Sequence, residues 1–187
     1  MKRLFDFFAS LIGLIILSPL FLIIAILVKI NSSGSVFFRQ ERYGKDSKVF
    51  KVIKFRTMKS DSENYSVDQL RKFEISGNDP RLNKLSSFLR KYALDEIPQL
   101  INILKGDMSF VGPRAFFMPR IKANEKLRQR LVIRPGLTCL TAIKGASKIS
   151  DEELLKLDME YINNHNLFLD IYILLKSIFL VISGKGF

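Results

Sequence analysis

Phe7-Phe-Ala-Ser-Leu-Ile-Gly-Leu-Ile-Ile-Leu-Ser18-Pro19-Leu-Phe-Leu-Ile-Ile-Ala-Ile-Leu-Val28 carries no charge over its whole length. As a helix it is long enough to cross a bilayer, which takes about 20 apolar residues. A cleavable signal peptide fits poorly. The apolar run exceeds the usual ~7–15 residues, and no small-x-small cleavage site follows. Lys2 and Arg3 precede the stretch and favour a cytoplasmic N-terminus. Lys29, Arg39, Arg42, Lys45, Lys48, Lys51, Lys54, Arg56 and Lys59 follow it, against Glu41 and Asp46. Both flanks are therefore positive, and a straight span satisfies one while violating the other. Ser18-Pro19 lies near the middle. Pro19 donates no amide proton and its ring clashes with the carbonyl of Ile15, while Ser18 can hydrogen-bond a freed carbonyl. Two readings stay open at this level: an ordinary kinked span, and a re-entrant hairpin that enters and leaves by one leaflet.

Outward from this stretch, the chain has 187 residues, the size of one ordinary domain with a real core. Hydrophobic residues make up 48% with 16 Phe, which excludes intrinsic disorder. One cysteine, Cys139, excludes an intrachain disulfide and a cysteine zinc cluster. The single histidine, His165, excludes a His-rich metal site, and a Ser/His/Asp hydrolase would have to use that one imidazole. The net charge of +12 calls for an anionic partner: nucleic acid, acidic lipid or a phosphorylated substrate.

Beyond the apolar stretch, Ser32-Ser33-Gly34-Ser35 reads as a hinge. Val36-Phe37-Phe38 and Val49 to Met58 are rich in strand formers and flank Gly44, which suggests a small β-hairpin. Ser60 to Gln69 reads as a loop and Gly77-Asn78-Asp79-Pro80 as a turn. Leu82, Leu85, Phe88, Leu89 and Tyr92 recur at helical spacing among Arg81, Lys84, Arg90 and Lys91, which predicts a basic amphipathic helix. Pro98, then Gln99 to Lys105, then Gly106 predicts another. Pro135-Gly136 is a type II turn candidate. Ser150-x-x-Glu153 is a capping box opening a helix through Tyr161 and Ile162. Asn163-Asn164-His165-Asn166 interrupts it, and Leu167 to Ile182 follows as a core or interface-lying helix.

Asp95 and Glu96 are adjacent, just before Pro98. A helix starting there would put both at its positive end and favour their ionised forms. A pair of solvated first-turn acids is the competing reading. Gly112-Pro113-Arg114 and Arg134-Pro135-Gly136 each place an arginine beside a tight backbone, able to offer a fork to phosphate or to lie idle on the surface. Lys54 and Arg56 alternate with Phe55 and so share one strand face. No P-loop, dinucleotide fingerprint or HExxH helix is present. His165 reads as a loop residue and Cys139 as a small buried one.

Taken in order, the motifs form a pattern: the basic N-terminus, the apolar segment with Ser-Pro, Lys54-Phe-Arg-Thr-Met58, Asp79-Pro-Arg81, Phe88-Leu-Arg-Lys91, Leu94-Asp-Glu-Ile-Pro-Gln-Leu100, Leu104-Lys-Gly-Asp-Met-Ser109, Val111-Gly-Pro-Arg114 and Arg134-Pro-Gly136. This closely resembles the bacterial sugar transferase family, the monotopic phosphoglycosyl transferases, in its small single-domain form. The resemblance covers nearly the whole chain and is most specific from Asp79 to Arg114. It implies a mostly helical α+β fold: a re-entrant membrane helix broken at Ser18-Pro19 in residues 1–31, then one membrane-associated catalytic domain, residues 32–187, with a small hairpin and amphipathic interface helices.

It also implies transfer of a sugar 1-phosphate from a UDP-sugar to polyprenol (undecaprenyl) phosphate, with Mg²⁺ and release of UMP, at the cytoplasmic face of the bacterial inner membrane. In that pattern Asp95 is the nucleophile, forming a covalent phosphosugar intermediate, and Glu96 is its metal-positioning or acid/base partner, both near the metal. Cations must neutralise the pyrophosphate, and Lys54, Arg56, Arg90, Arg114 and Arg134 are the candidates. Lys2 and Arg3 are candidates for the polyprenol phosphate or acidic phospholipid head groups, and Asp6 for a contact with the returning basic arm. The chain departs from the family at Ala115, where proline is usual, and at Leu137-Thr-Cys-Leu-Thr-Ala142, which leaves the donor sugar open. A homo-oligomer is compatible with the sequence. A non-catalytic adaptor for acidic lipids is the reading from another class, and nucleic acid is not expected because no binding motif accompanies the charge.

Overall fold

A computed structural model describes residues 1–32, 34–58, 82–116, 118–145 and 150–184. The apolar stretch forms two helices, α1 (Lys2–Ile16) and α2 (Ser18–Asn31), bent by 64°. The break has the expected chemistry. Pro19 sits in the first turn of α2, where its missing N–H costs nothing. The Ile15 carbonyl that it would have blocked accepts instead from Ser18 Oγ at 2.8 Å. Among the described residues no single helix is long and apolar enough to cross a membrane, although the bent pair reaches that length together.

The hairpin forms as read. Strands β1 (Phe37–Tyr43) and β2 (Val49–Phe55) pair antiparallel, Phe37 opposite Phe55 and Tyr43 opposite Val49. Helix α3 (Lys84–Lys91) starts later than the periodicity suggests, because the Asn83 side chain accepts from Ser86 N–H at 2.8 Å and caps it. A 3₁₀ turn (Leu94–Glu96) leads into α4 (Gln99–Lys105), which Gly106 ends in the left-handed conformation at φ +92°. Strand β3 (Ser109–Val111), helix α5 (Met118–Ala123) and a 3₁₀ segment (Glu125–Val132) lead to β4 (Gly136–Thr138), parallel to β3. A one-turn helix α6 (Leu140–Ile143) precedes α7 (Asp151–Asn164) and α8 (Leu167–Ile182). Ser150 caps α7 through Glu153 N–H, as its capping box predicts. His165 lies exposed between α7 and α8, and Cys139 is buried.

Two expectations change. Pro135-Gly136 is no type II turn, since Gly136 does not adopt positive φ and instead opens β4. Asp6 meets no basic arm: it is buried, and its Oδ1 accepts from Phe110 N–H on β3 at 3.2 Å. The loop read at Ser60 to Gln69 and the turn at Gly77-Asn78-Asp79-Pro80 lie outside the described residues.

Hydrophobic clusters join the bent pair to the rest. Ile24 and Val28 of α2 pack with Phe55 and Leu89, while Leu14 and Leu17 pack against Val52, Leu100, Ile103 and Met108. Val111, Leu140, Tyr161 and Ile173 form another cluster. On the far sides, α1, α2 and α8 leave large apolar side chains in the open, Ile16 at 69% exposure and Phe168 at 85% among them.

A two-stranded hairpin is marginal on its own. Here a side chain takes the place of a third strand. Asn102 of α4, 1% exposed, accepts from Ile53 N–H at 3.0 Å and donates to Lys51 C=O at 2.9 Å on the outer edge of β2. Replacing Asn102 by the similarly sized Leu strands both buried backbone groups, and should lower stability by about 2–4 kcal/mol. Thermal unfolding of the purified variant measures this, and an unchanged midpoint contradicts it.

Candidate active site

Three elements converge on one cleft. The 3₁₀ turn presents Glu96, with Asp95 buried beside it, β2 presents Lys54, and the loop after β3 presents Arg114. Lys54 Nζ donates to Glu96 Oε1 at 2.5 Å, and Arg114 Nη2 donates to the same oxygen at 3.4 Å. Arg42, Val52, Gln99, Met108, Ala115, Gly136 and Leu137 complete the lining. Arg90 on α3 donates through Nε to Thr57 Oγ1 at 3.1 Å, and its charge acts on Asp95. The turn is entered through Ala93 at φ 48°, ψ 23°. That conformation costs an L-residue about 1–2 kcal/mol, a strain carried two residues before Asp95.

The adjacent carboxylates behave in opposite ways. Burial, and then the Glu96 charge, push Asp95 up to about 6, with Lys54, Arg90 and its own backbone N–H pulling the other way. A helix start favours ionisation, but a 7%-exposed carboxylate loses more hydration than a seven-residue helix returns, so Asp95 lies above the ordinary range while ionising below neutral pH. For Glu96, burial again raises the value, but Arg114 and Lys54 overcome it and hold the group below its ordinary range. Arg114 is raised in return by Glu96. Burial and then the like charge of Arg114 bring Arg42 down to about 10, with Glu96 opposing them.

The two Gly-Pro and Pro-Gly motifs are one device. A Cβ on Gly112 would lie 2.4 Å from Arg134 O, and one on Gly136 would lie 2.1 Å from Gly112 N. Two glycines back to back let the segments cross. Gly136 N–H then donates to Pro113 O at 3.0 Å, Gly112 N–H donates to Thr138 O at 3.1 Å, and Arg114 bridges to Gly136. Glycine serves close approach here, which is what aims Arg114 at Glu96.

Not every candidate arrives. Arg134 turns away, its Nε donating to Gly106 O at 2.8 Å. Arg56 leaves the strand end and packs on Gly34, where a Cβ would stand 2.6 Å from its Nη1, so it does not share the cleft with Lys54. The head-group candidates point inward. Arg3 donates to Ile103 O at 2.6 Å and Leu104 O at 2.7 Å, while Lys2 pairs with Asp170 and donates to Tyr161 Oη at 3.1 Å. These cations went to backbone carbonyls and a buried carboxylate far away in sequence, which no local motif announces. Arg42 carries no local signal for a related reason: its place on the Lys54 face follows from the hairpin register, which is set by a connection holding Asp46 and Ser47 at positive φ.

Among the described residues no group of three or more His, Cys, Asp or Glu could hold a metal ion. A divalent cation here would depend on Asp95 and Glu96 together with oxygens of a substrate. Mg²⁺ is bound in that manner, through one or two carboxylates plus phosphates and water, so the residues fit it. Asp95 is the better placed, since the Lys54 and Arg114 contacts both fall on Glu96.

The family model described as "Bacterial sugar transferase" matches residues 1–184. The chain is 37% identical to the exopolysaccharide production protein ExoY of Rhizobium meliloti, over 99% of this chain and 87% of that protein. It is 38% identical to the UDP-glucose:undecaprenyl-phosphate glucose-1-phosphate transferase of Escherichia coli, over 100% of this chain and 40% of that protein. It is 36% identical to the galactosyl transferase CpsE of Streptococcus agalactiae, over 99% of this chain and 43% of that protein.

Opposite electrostatics predict opposite stability effects. A carboxyl raised to about 6 contributes stability below its ordinary value of 3.8 and loses it as pH rises through 6. At pH 7.5, Asp95→Asn should therefore raise the unfolding midpoint, a gain on the order of 1–3 kcal/mol. Glu96, held low, contributes stability that is present at neutral pH, so Glu96→Gln should lower the midpoint by a similar amount, about 1–3 kcal/mol. Equal signs for the two variants contradict this assignment. Gly136→Ala should cost more than about 3 kcal/mol, whereas Gly145→Ala, at φ +79° with nothing within 4 Å, should cost about 1–2 kcal/mol and keep activity.

Proposed function

The chain belongs to the bacterial sugar transferase family, and from that premise we propose that it moves a sugar 1-phosphate from a UDP-sugar to polyprenol phosphate, releasing UMP, as a membrane step of exopolysaccharide or capsule synthesis. The observation that carries the reading is the division of labour within Asp95-Glu96. Glu96 absorbs Lys54 and Arg114, leaving Asp95 buried and less acidic than an ordinary carboxyl. A carboxylate with few partners is a better nucleophile than one locked in ion pairs.

In the first step a carboxylate oxygen of Asp95 bonds to the phosphorus that bears the sugar. The bond from that phosphorus to the bridging oxygen breaks, and UMP leaves with its electron pair. In the second step an oxygen of polyprenol phosphate bonds to the same phosphorus, and the carboxylate leaves. The product is a polyprenol diphosphate sugar, and Asp95 returns unchanged. Splitting the transfer lets a water-soluble donor and a lipid acceptor use one site in turn. Arg114, Lys54 and Arg90 neutralise the charge that the donor brings. Mg²⁺ when bound, held by Asp95 with Glu96 beside it, supplies Lewis-acid neutralisation of the phosphates.

The exposed apolar faces of α1, α2 and α8 support placing the bent pair as a re-entrant element in the cytoplasmic leaflet of the inner membrane. Patches of that kind mark membrane or protein contact, and the positive charge on both flanks of the pair favours return to the same side. Leu137, in the segment that diverges from the family, reaches the cleft and makes that segment the candidate for donor selection.

With a matched UDP-sugar, Mg²⁺ and no acceptor, the enzyme should release at most one UMP per active site and retain a phosphosugar adduct on the peptide containing Asp95, seen by mass spectrometry. An adduct elsewhere, or sustained activity of Asp95→Asn, contradicts the proposal. The acidic limb of kcat/KM against pH should rise through about 6, where Asp95 of the free enzyme ionises.

A further inference from the structure

Arg42 stands on β1, on the hairpin face that carries Lys54: the register sets Phe38 opposite Lys54, Gln40 opposite Val52 and Arg42 opposite Phe50. Its guanidinium is held from two directions. Nη1 donates to Ala115 O at 3.0 Å and Nη2 donates to Gln40 Oε1 at 2.5 Å. Ala115 directly follows Arg114, so the first bond ties the hairpin to the loop that presents Arg114. Arg42, Lys54 and Arg114 line one cleft with Glu96 as their shared carboxylate. Arg90 adds a fourth positive charge beside Asp95.

Among the described residues, three cations and one carboxylate line this half-buried space, an excess of two positive charges. Crowding of like charges away from water is unfavourable until an anion arrives. A diphosphate brings the missing charge, and its oxygens match a guanidinium fork. Because Gln40 and Ala115 already hold Arg42, little side-chain freedom is left to lose when the anion docks.

We propose that Arg42 is a donor-binding residue that works with Arg114 to cradle the diphosphate of the nucleotide sugar. The assignment rests on the phosphoglycosyl transfer reading above. It predicts that Arg42 governs donor affinity more than the chemical step.

The test uses the full chain in detergent, comparing wild type, Arg42→Gln and Arg42→Lys. Dissociation constants for UDP and for uridine are measured by calorimetry and by ligand-observed NMR, with thermal midpoints alongside. Loss of charge-assisted hydrogen bonds should weaken UDP about tenfold or more in Arg42→Gln and leave uridine within about twofold, with Arg42→Lys in between. Unchanged UDP affinity in Arg42→Gln overturns the proposal. Equal loss of UDP and uridine also overturns it, because that pattern marks Arg42 as a prop for the Arg114 loop. Wild type that binds no UDP at all overturns the underlying reading instead, a result distinct from both.

Discussion

Two adjacent carboxylates in one buried turn are the constraint around which the rest is arranged. Side by side and away from water, they raise each other's cost of ionisation. The structure resolves the conflict by giving them unequal partners. Glu96 takes Lys54 from the hairpin and Arg114 from the crossing loop. Asp95 is left with the more distant fields of Lys54 and Arg90. Among the described residues, one carboxylate is tied into ion pairs and the other is left without one. The same step assembles the cleft, since the elements that supply Lys54 and Arg114 are brought together by the residue they bind.

Holding that arrangement is not a task for extended sheet. Among the described residues the two sheets have two strands each, and one of them pairs over three residues per strand. Polar side chains supply the missing joints. Asn102 acts as a third strand for β2. Arg3 and Arg134 meet the carbonyl end of α4 and the Gly106 that closes it, where a cation also complements the helix dipole. A buried Arg130–Asp158 pair at 2.6 Å, its guanidinium 3.9 Å over the Phe116 ring, links α7 to the segment after Arg114. Such joints cost desolvation and return geometry, an exchange suited to an active site more than to raw stability.

This explains which parts could be read from the amino acids. The helix break at Ser18-Pro19, the hairpin, the α7 cap at Ser150 and the end of α4 at Gly106 depend on neighbours within a few residues, and each was legible. Asp95, Glu96, Lys54 and Arg114 were picked out by motif order, and the structure does bring them together. What stayed hidden was long-range. Arg134, Arg56, Lys2 and Arg3 look like phosphate and head-group ligands by charge alone, yet their partners are carbonyls, a glycine surface and a carboxylate remote in the chain. The raised pKa of Asp95 is long-range in the same way: a helix dipole is visible in sequence, and burial by other elements is not.

The inward turn of the N-terminal cations changes how the bent helix pair relates to the site. Lys2 pairs with Asp170 at the start of α8, Arg3 grips the end of α4, and Asp6 accepts from β3. Helix α4 follows directly from the turn bearing Asp95 and Glu96, and β3 leads directly into the loop bearing Arg114. One turn of α1 therefore touches both sources of the cleft from behind. On the proposed membrane seating, the outer face of α1 meets lipid while its inner face sets the spacing of α4 and β3. The polar residues that begin α1 therefore belong to the frame of the site as much as to the apolar helix pair they open.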